Sequence, residues 1–341
     1  MKPGANVNRS EPLVEVRDLT VKFVSRESTV QAVNGVSFDL MPGEVLCVIG
    51  ESGSGKSVTM RALMRLLPAK RTKIGGSMRV GPHDILSLSE HALRDIRGSQ
   101  ISMIFQEPMT ALDPVYTIGD QIAETVMRHE GCSKEDGLAR ALELLQLVKV
   151  PSPERRLKNY PHELSGGLRQ RAMIAVAISC RPSLLLADEP TTALDATVQI
   201  QVLVLLRKLQ QELGMGVIFV THDMGVAAQI ADKVAVMYAG RIVEYGKVSD
   251  VLLRPSHPYT LGMLASTVHG QARGRDIEAI PGSPPDLRQP IVGCSFAPRC
   301  KFAVPACLAA TPAPVEIGAG QYAACIRTGH LDDKVEAAAI A

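Results

Sequence analysis

Short apolar runs, separated by polar stretches marked with glycine and proline, recur through most of the chain. Glu44 to Ile49 is one of these runs, rich in β-forming residues and short enough for a buried strand. From Val58 the period changes: Met60, Leu63, Met64 and Leu67 fall on one helical face, and Pro68 is expected to stop that helix. Ser183 to Ala187 and Gly216 to Thr221 again read as buried strands, without the alternation of a sheet that faces water. Arg171 to Ser179, rich in alanine and β-branched residues, predicts a largely buried helix. Ala139, Leu142, Leu145 and Val148 recur at helical spacing, whereas Val234 to Tyr245 reads as two strands around Ala239-Gly240 and the polar Ser25 to Thr29 as a hairpin tip. Strands and helices interleaved in this way predict an α/β fold. No internal repeat or coiled coil is evident.

Chemistry enters where these elements meet. Between the first buried strand and the helix after it stands Gly50-Glu51-Ser52-Gly53-Ser54-Gly55-Lys56-Ser57, which fits a phosphate loop. Gly50, Gly53 and Gly55 let the backbone turn its N–H groups inward, and the helix N-terminus adds positive potential. Lys56 is expected to reach the β- and γ-phosphates of ATP, and the Ser57 hydroxyl to ligate Mg²⁺. Downstream, the strand ending in Ala187-Asp188-Glu189-Pro190 presents adjacent carboxylates at its C-terminal end, where open α/β sheets place their ligands. Asp188 would hold Mg²⁺ directly or through water, and Glu189 would accept a proton from the attacking water. His222, directly after the strand ending at Thr221, could contact the γ-phosphate or orient that water.

Leu164-Ser165-Gly166-Gly167-Leu168-Arg169-Gln170-Arg171 supplies a second anion site, with Ser165 at an N-cap position ahead of the buried helix. One phosphate loop with one acid pair has no use for a second such helix, unless that helix closes over ATP bound to another copy.

On these residues the chain resembles the nucleotide-binding subunit of an ATP-binding-cassette (ABC) transporter, whose signature is usually written Leu-Ser-Gly-Gly-Gln. Leu168 stands at its last position here, a variant common in one branch of that family. The resemblance covers about residues 12 to 330 and implies further roles. Gln106, in Met103-Ile104-Phe105-Gln106-Glu107-Pro108, matches the glutamine that links Mg²⁺ to the membrane partner. Asp195, in Ala193-Leu194-Asp195, matches the loop across the dimer interface, and Phe23 matches the aromatic that stacks on adenine. The implied fold is the cassette, with a mixed sheet core, a helical subdomain at about residues 95–165 that receives the permease, and a C-terminal extension.

Within the family, the stretch Phe105 to Ile122, the run His257-Pro258-Tyr259-Thr260 and the tail Gly293 to Cys300 are similar to the oligopeptide/dipeptide importer ATPases. That branch implies a second ATPase subunit, identical or homologous, two transmembrane permease subunits and, indirectly, an extracytoplasmic binding protein. It also implies a peripheral location on the cytoplasmic face of the bacterial inner membrane. Relatives with these motifs import peptides, nickel complexes, opines, oligosaccharides or glutathione, and the ATPase never touches the cargo. Soluble cassette ATPases share the ATP motifs but typically carry two cassettes in one chain or a long coiled coil, and neither pattern is present.

Composition bounds this reading. The 341 residues, 46% of them hydrophobic, suffice for one α/β domain with an appendage, and a net charge of +2 gives no reason to expect nucleic-acid binding. The longest apolar runs fall far short of the roughly 20 residues that span a bilayer, and the polar N-terminus carries no apolar signal core. The expected organisation is a disordered 1–12, an ATPase domain at 13–260, an extension at 261–330 with a proline-rich connector from Pro281 to Pro290, and a disordered 331–341.

Of seven cysteines, Cys294, Cys300, Cys307 and Cys325 crowd into the tail. A cytosolic protein is not expected to keep structural disulfides, so the cluster points either to a metal site or to packed thiols, and its spacing is not a zinc-finger pair. The resemblance to cluster-bearing relatives implies a [4Fe–4S] cluster on these four residues.

Overall fold

The computed structural model describes residues 11–192, 194–266 and 279–329. The disorder expected at both termini therefore falls almost wholly outside the described residues, as does Ala193. The chain divides into two compact units. One comprises the chain up to Val14, Leu40–Glu44 and Arg79–Val220; the other comprises Glu15–Asp39, Val45–Met78 and the chain from Thr221 onward.

In the first unit the strands Ile101–Ile104, Leu184–Asp188 and Gly216–Thr221 run parallel, with Ile104 opposite Ala187 and Ala187 opposite Phe219. Every residue of all three is buried, the pattern of a parallel sheet covered on both faces. Helix Gly166–Ile178 packs on Ile101–Ile104 and on the helices Ile118–Glu130 and Lys134–Leu147. Local signals set the ends of those two helices. The Thr117 and Ser133 hydroxyls accept from the Asp120 and Asp136 N–H groups at 3.2 and 3.1 Å, and Gly131 at φ 67° closes the first of them. The stretch read as helical from about 95 to 165 thus also contains a core strand, Ile101–Ile104, too short to betray its period in sequence.

In the second unit Val45–Ile49 lies parallel to Lys233–Tyr238, which turns back through Ala239 and Gly240 into Arg241–Lys247. Both turn residues have positive φ, 48° and 78°, as a tight right-twisted hairpin demands. The tail then continues the sheet: Gln321–Ala323 pairs antiparallel with Arg241–Lys247, placing Glu244 opposite Ala323, and Val315–Gly318 pairs with Gln321–Ala323. A second sheet sets Val14–Val24 between Thr29–Leu40 and Thr72–Val80. Its first hairpin turns where expected, with the Ser25 N–H and hydroxyl both donating to the Ser28 carbonyl at 2.9 Å.

One boundary differs from the sequence reading. The helix after the phosphate loop runs only over Lys56–Leu63, not to Leu67. Arg65 adopts φ 47°, the Leu66 N–H donates to the Arg61 carbonyl and the Arg65 N–H to the Ala62 carbonyl, both at 2.9 Å. This paired closure ends the helix a turn before Pro68 can.

Two titratable groups are buried beside this edge of the sheet. Glu244, 1% exposed, accepts the N–H groups of Ser256 and His257 at 2.7 and 3.0 Å, and burial still pushes its pKa up to about 7. Burial drives His257 the other way, to about 3, so it stays neutral, and its Nδ1 accepts the Tyr259 N–H at 3.0 Å to start the helix Pro258–Ala265.

Candidate functional site

The second unit carries the glycine loop. Strand Val45–Ile49 delivers the chain to Gly50, and Gly53 and Gly55 follow at φ 78° and 103°. Glycine is required here by contact as well as by conformation. A Cβ on Gly50 would stand 2.1 Å from the Met237 carbonyl oxygen, and one on Gly55 would stand 2.5 Å from that of Ala32. The loop is further tied down by the Gly240 N–H, which donates to the Ser54 carbonyl at 2.9 Å. Lys56 is 5% exposed, and its Nζ donates to the Gly50 and Glu51 carbonyls at 2.8 and 2.9 Å. The ammonium is thereby centred over the loop, where a phosphate chain would lie against the amides that open the following helix. Ser52 flanks Glu51 on this loop, and Ser57 is half-buried in the first turn of that helix.

Two other expected residues belong to this unit. Phe23 is half-buried near the end of Val14–Val24, neither in the core nor fully exposed. His222 is exposed, directly ahead of Asp223, whose Oδ1 accepts the Gly225 and Val226 N–H groups at 2.7 and 3.3 Å. That cap fixes the helix Met224–Ile230 and with it the backbone on which His222 rides.

The first unit carries the carboxylates and the signature. Asp188, 1% exposed, ends the buried strand, and Glu189 turns sharply at φ 46° with its N–H donating to the Val220 carbonyl at 3.0 Å. A non-glycine residue in this conformation is strained, and it turns the Glu189 side chain out of the line of the strand. Thr192 Oγ1 donates to Glu189 Oε2 at 2.9 Å, and Gln106 Nε2 donates to the same oxygen at 3.4 Å. The fold thus gathers Gln106 and Glu189, far apart in sequence, and adds Thr192, which the sequence reading did not name.

Helix Gly166–Ile178 opens at the signature, with Ser165 at the cap position in extended backbone (φ −66°, ψ 163°) and its hydroxyl not engaged in capping. The first-turn amides of such a helix have no partner within it. Gly167 is needed for packing: a Cβ there would stand 2.8 Å from Val198 Cγ1, whereas at Gly166 the nearest atom, on Leu194, is 3.8 Å away. Arg169 steadies this start, its Nε donating to the Pro161 carbonyl at 2.7 Å. Asp195 caps helix Ala196–Leu213, its Oδ1 accepting the Val198 N–H at 2.9 Å, a local duty that the sequence reading had not assigned.

The tail cysteines come together. Cys294, Cys300, Cys307 and Cys325 line one apolar pocket with Phe296, and all four are free thiols. Gly293 makes this possible: at φ 78° it lies so close to the Cys307 and Leu308 carbonyls that a Cβ would stand 2.5 and 2.7 Å from them. The Cys294 N–H donates to the Cys307 carbonyl at 2.7 Å. Burial pushes the Cys300 thiol up to about 11 and raises Cys294 and Cys325, with repulsion from neighbouring tail cysteines adding to each. Among the described residues, no three His, Cys, Asp or Glu side chains stand in a geometry ready to ligate a metal ion. No helix among them is long and apolar enough to cross a membrane.

Three residues outside the expected set bear on the loop. Arg299 forms a two-pronged ion pair with Glu51, and the Tyr259 hydroxyl accepts the Glu51 N–H at 2.8 Å. Glu51 stood in plain view in the loop, but its partners lie 208 and 248 positions away, and no local pattern announces them.

Comparison with known proteins accords with this geometry. The ABC transporter family model matches residues 33–192, and that of the oligopeptide/dipeptide transporter C-terminal region matches residues 243–307. A probable peptide ABC transporter ATP-binding protein of Sinorhizobium fredii is 50% identical, over 95% of this chain and 97% of its own. The oligopeptide transport ATP-binding protein OppD of Escherichia coli is 47% identical, over 94% of each chain. Among solved structures, a dimeric post-hydrolysis ATP-binding cassette bound to ADP and Pi superposes with a TM-score of 0.62 at 29% identity, over 69% of this chain and 98% of its own. The chain is therefore an ATPase of the ABC transporter family, in the group whose cassette is followed by the oligopeptide/dipeptide transporter C-terminal region.

Proposed function

We propose that the chain is the ATP-hydrolysing subunit of a peptide importer, peripheral at the cytoplasmic face of the inner membrane and docked there on two permease subunits. The observation that carries this is the union of a cassette with the oligopeptide/dipeptide C-terminal region, in one chain that aligns nearly end to end with peptide-transport ATP-binding proteins. In this reading Gly50, Ser52, Gly53, Gly55 and Lys56 cradle the phosphates of ATP, and Phe23 stacks on adenine. Ser57, Asp188 and Gln106 are the residues that would hold Mg²⁺, which would supply neutralisation of phosphate charge. Glu189 takes a proton from the attacking water as the bond between the γ-phosphorus and its bridging oxygen breaks, while His222 orients that water. The hydrogen bonds from Thr192 and Gln106 aim the Glu189 carboxylate. Ser165, Gly166 and Gly167 close over ATP held by a second ATPase subunit, with Asp195 in the loop between the two. Closure of the pair moves the permease helices, and hydrolysis resets them.

In a strain lacking the chain, uptake of a radiolabelled tripeptide is expected to fall to background. It should return with the wild-type chain and not with Lys56→Ala. Normal tripeptide uptake in the deletion strain, with loss of nickel or oligosaccharide uptake instead, would overturn the peptide assignment and leave the ATPase intact.

The tail cysteines are further proposed to hold a [4Fe–4S] cluster; four thiols on one pocket and a donor set of sulfur alone support this, while no three of them stand in ligating geometry in the structure. Cys294, Cys300, Cys307 and Cys325 would hold it, and the cluster would brace a small lobe with little core of its own. Protein purified without oxygen is expected to be brown with about four iron atoms per chain, and Cys300→Ser to lose that colour. Colourless protein with one zinc per chain would assign zinc instead, and metal-free protein would leave four packed thiols.

A further inference from the structure

We infer that Arg299 is a positioning residue of the ATP site: it holds the Glu51 carboxylate away from the phosphates that the loop is built to receive. The inference rests on the reading of Gly50–Ser57 as the phosphate loop. Glu51 places a carboxylate one residue into a loop that is to accept a polyanion, and like charges repel. The fold answers from the tail. Arg299 Nη1 donates to Glu51 Oε2 at 2.8 Å and Nη2 to Oε1 at 3.0 Å, the parallel fork that best fixes a carboxylate. The Tyr259 hydroxyl takes the Glu51 N–H at 2.8 Å, so both the backbone and the side chain of this residue are directed toward the tail.

Arg299 is itself held firmly. Its side chain is 6% exposed, its Nε donates to the Pro281 carbonyl at 2.8 Å, and Nη1 donates to the Tyr238 hydroxyl at 3.2 Å. The guanidinium also lies 5.8 and 5.9 Å from the ring centres of Tyr238 and Phe296. Tyr238 and Tyr259 are among the most deeply buried large side chains of the protein, so this mount rests on core and not on a surface loop. Cys300, of the four-thiol pocket, is the next residue along the chain. The C-terminal region therefore reaches the phosphate loop at Glu51 through two side chains, Arg299 on the carboxylate and Tyr259 on the backbone N–H.

Equilibrium binding of Mg·ATP to the purified full-length chain tests this through a double-mutant cycle. Arg299→Gln should weaken binding by about tenfold, because the freed carboxylate then faces the phosphates. Glu51→Gln alone should stay within about threefold of wild type. The decisive variant is Glu51→Gln/Arg299→Gln, which should return to within about threefold of wild type once no carboxylate remains to be restrained. A merely structural Arg299, bracing Pro281 and Tyr238, would leave the double variant as weak as Arg299→Gln, and that result overturns the inference. Wild-type affinity in a folded Arg299→Gln also overturns it. If Arg299→Gln does not fold, by circular dichroism, Arg299→Lys takes its place. It keeps the charge without the fork, so the expected loss is smaller, and Glu51→Gln should again relieve it. A wild-type chain that binds no ATP, or a Lys56→Ala chain that binds it normally, strikes instead at the phosphate-loop reading itself.

Discussion

Glu189→Gln is expected to lower steady-state ATP hydrolysis by about 10² or more while leaving ATP binding in place. The substitution changes one atom's chemistry and little of its setting. A glutamine oxygen can still accept the Thr192 hydroxyl now 2.9 Å from Glu189 Oε2, and the backbone turn at φ 46° depends on the chain and not on the charge. What is lost is the ability to take a proton from water as it attacks, and a factor of 10² corresponds to about 2.7 kcal/mol of transition-state stabilisation. Lys56, Ser57 and Asp188 would still hold the phosphates and Mg²⁺, so the variant should accumulate as an ATP-bound dimer, visible as a doubled mass in size-exclusion chromatography with ATP and Mg²⁺. Near-normal turnover in Glu189→Gln would remove Glu189 from its role as base.

The second large effect concerns the orphan helix start at Ser165. Lys56→Ala and Ser165→Arg chains should each be inactive alone, the first for want of a charge over the loop, the second because a long cationic side chain fills the space where a phosphate would meet the first-turn amides. Mixed in equal amounts, they should recover activity. Random pairing makes about half of the dimers mixed, each with one composite site from two intact halves and one from two damaged halves, so about a quarter of wild-type turnover is expected if the sites act independently. The two damaged halves meet only if the signature of one chain serves the loop of the other. A mixture as inactive as its components would refute that arrangement, as would a crosslink from position 165 to the loop that forms only within a chain.

Much of this protein is legible without coordinates. The buried strand before Gly50, the strand ending in Asp188 and the helix opened by Ser165 each follow from five to thirteen consecutive residues. Short-range rules govern them: the period of apolar positions, the special conformations open to glycine, and the unpaired amides at a helix start. Gly50, Gly53, Gly55, Lys56, Asp188 and Glu189 could be picked out for the same reason, since their chemistry is written at fixed local spacings. The helix after the loop was misjudged by a turn because hydrophobic spacing continues past Leu63, whereas the Arg65 reversal depends on backbone closure that apolar period does not encode.

What the sequence determined by itself, then, is the order of the elements and the candidate groups proposed to handle phosphate. Tertiary structure alone decided which distant groups meet. The pairing of Gln106 with Glu189, the four cysteines on one pocket and the clamp of Arg299 on Glu51 arise only when the chain closes loops of up to 248 residues. The physical reason is one of range. A glycine turn or a helix cap is set by neighbours a few bonds away, but an ion pair closed across most of the chain is held by the burial of Tyr238, Tyr259 and Phe296 around it, and no spacing in the sequence records that packing.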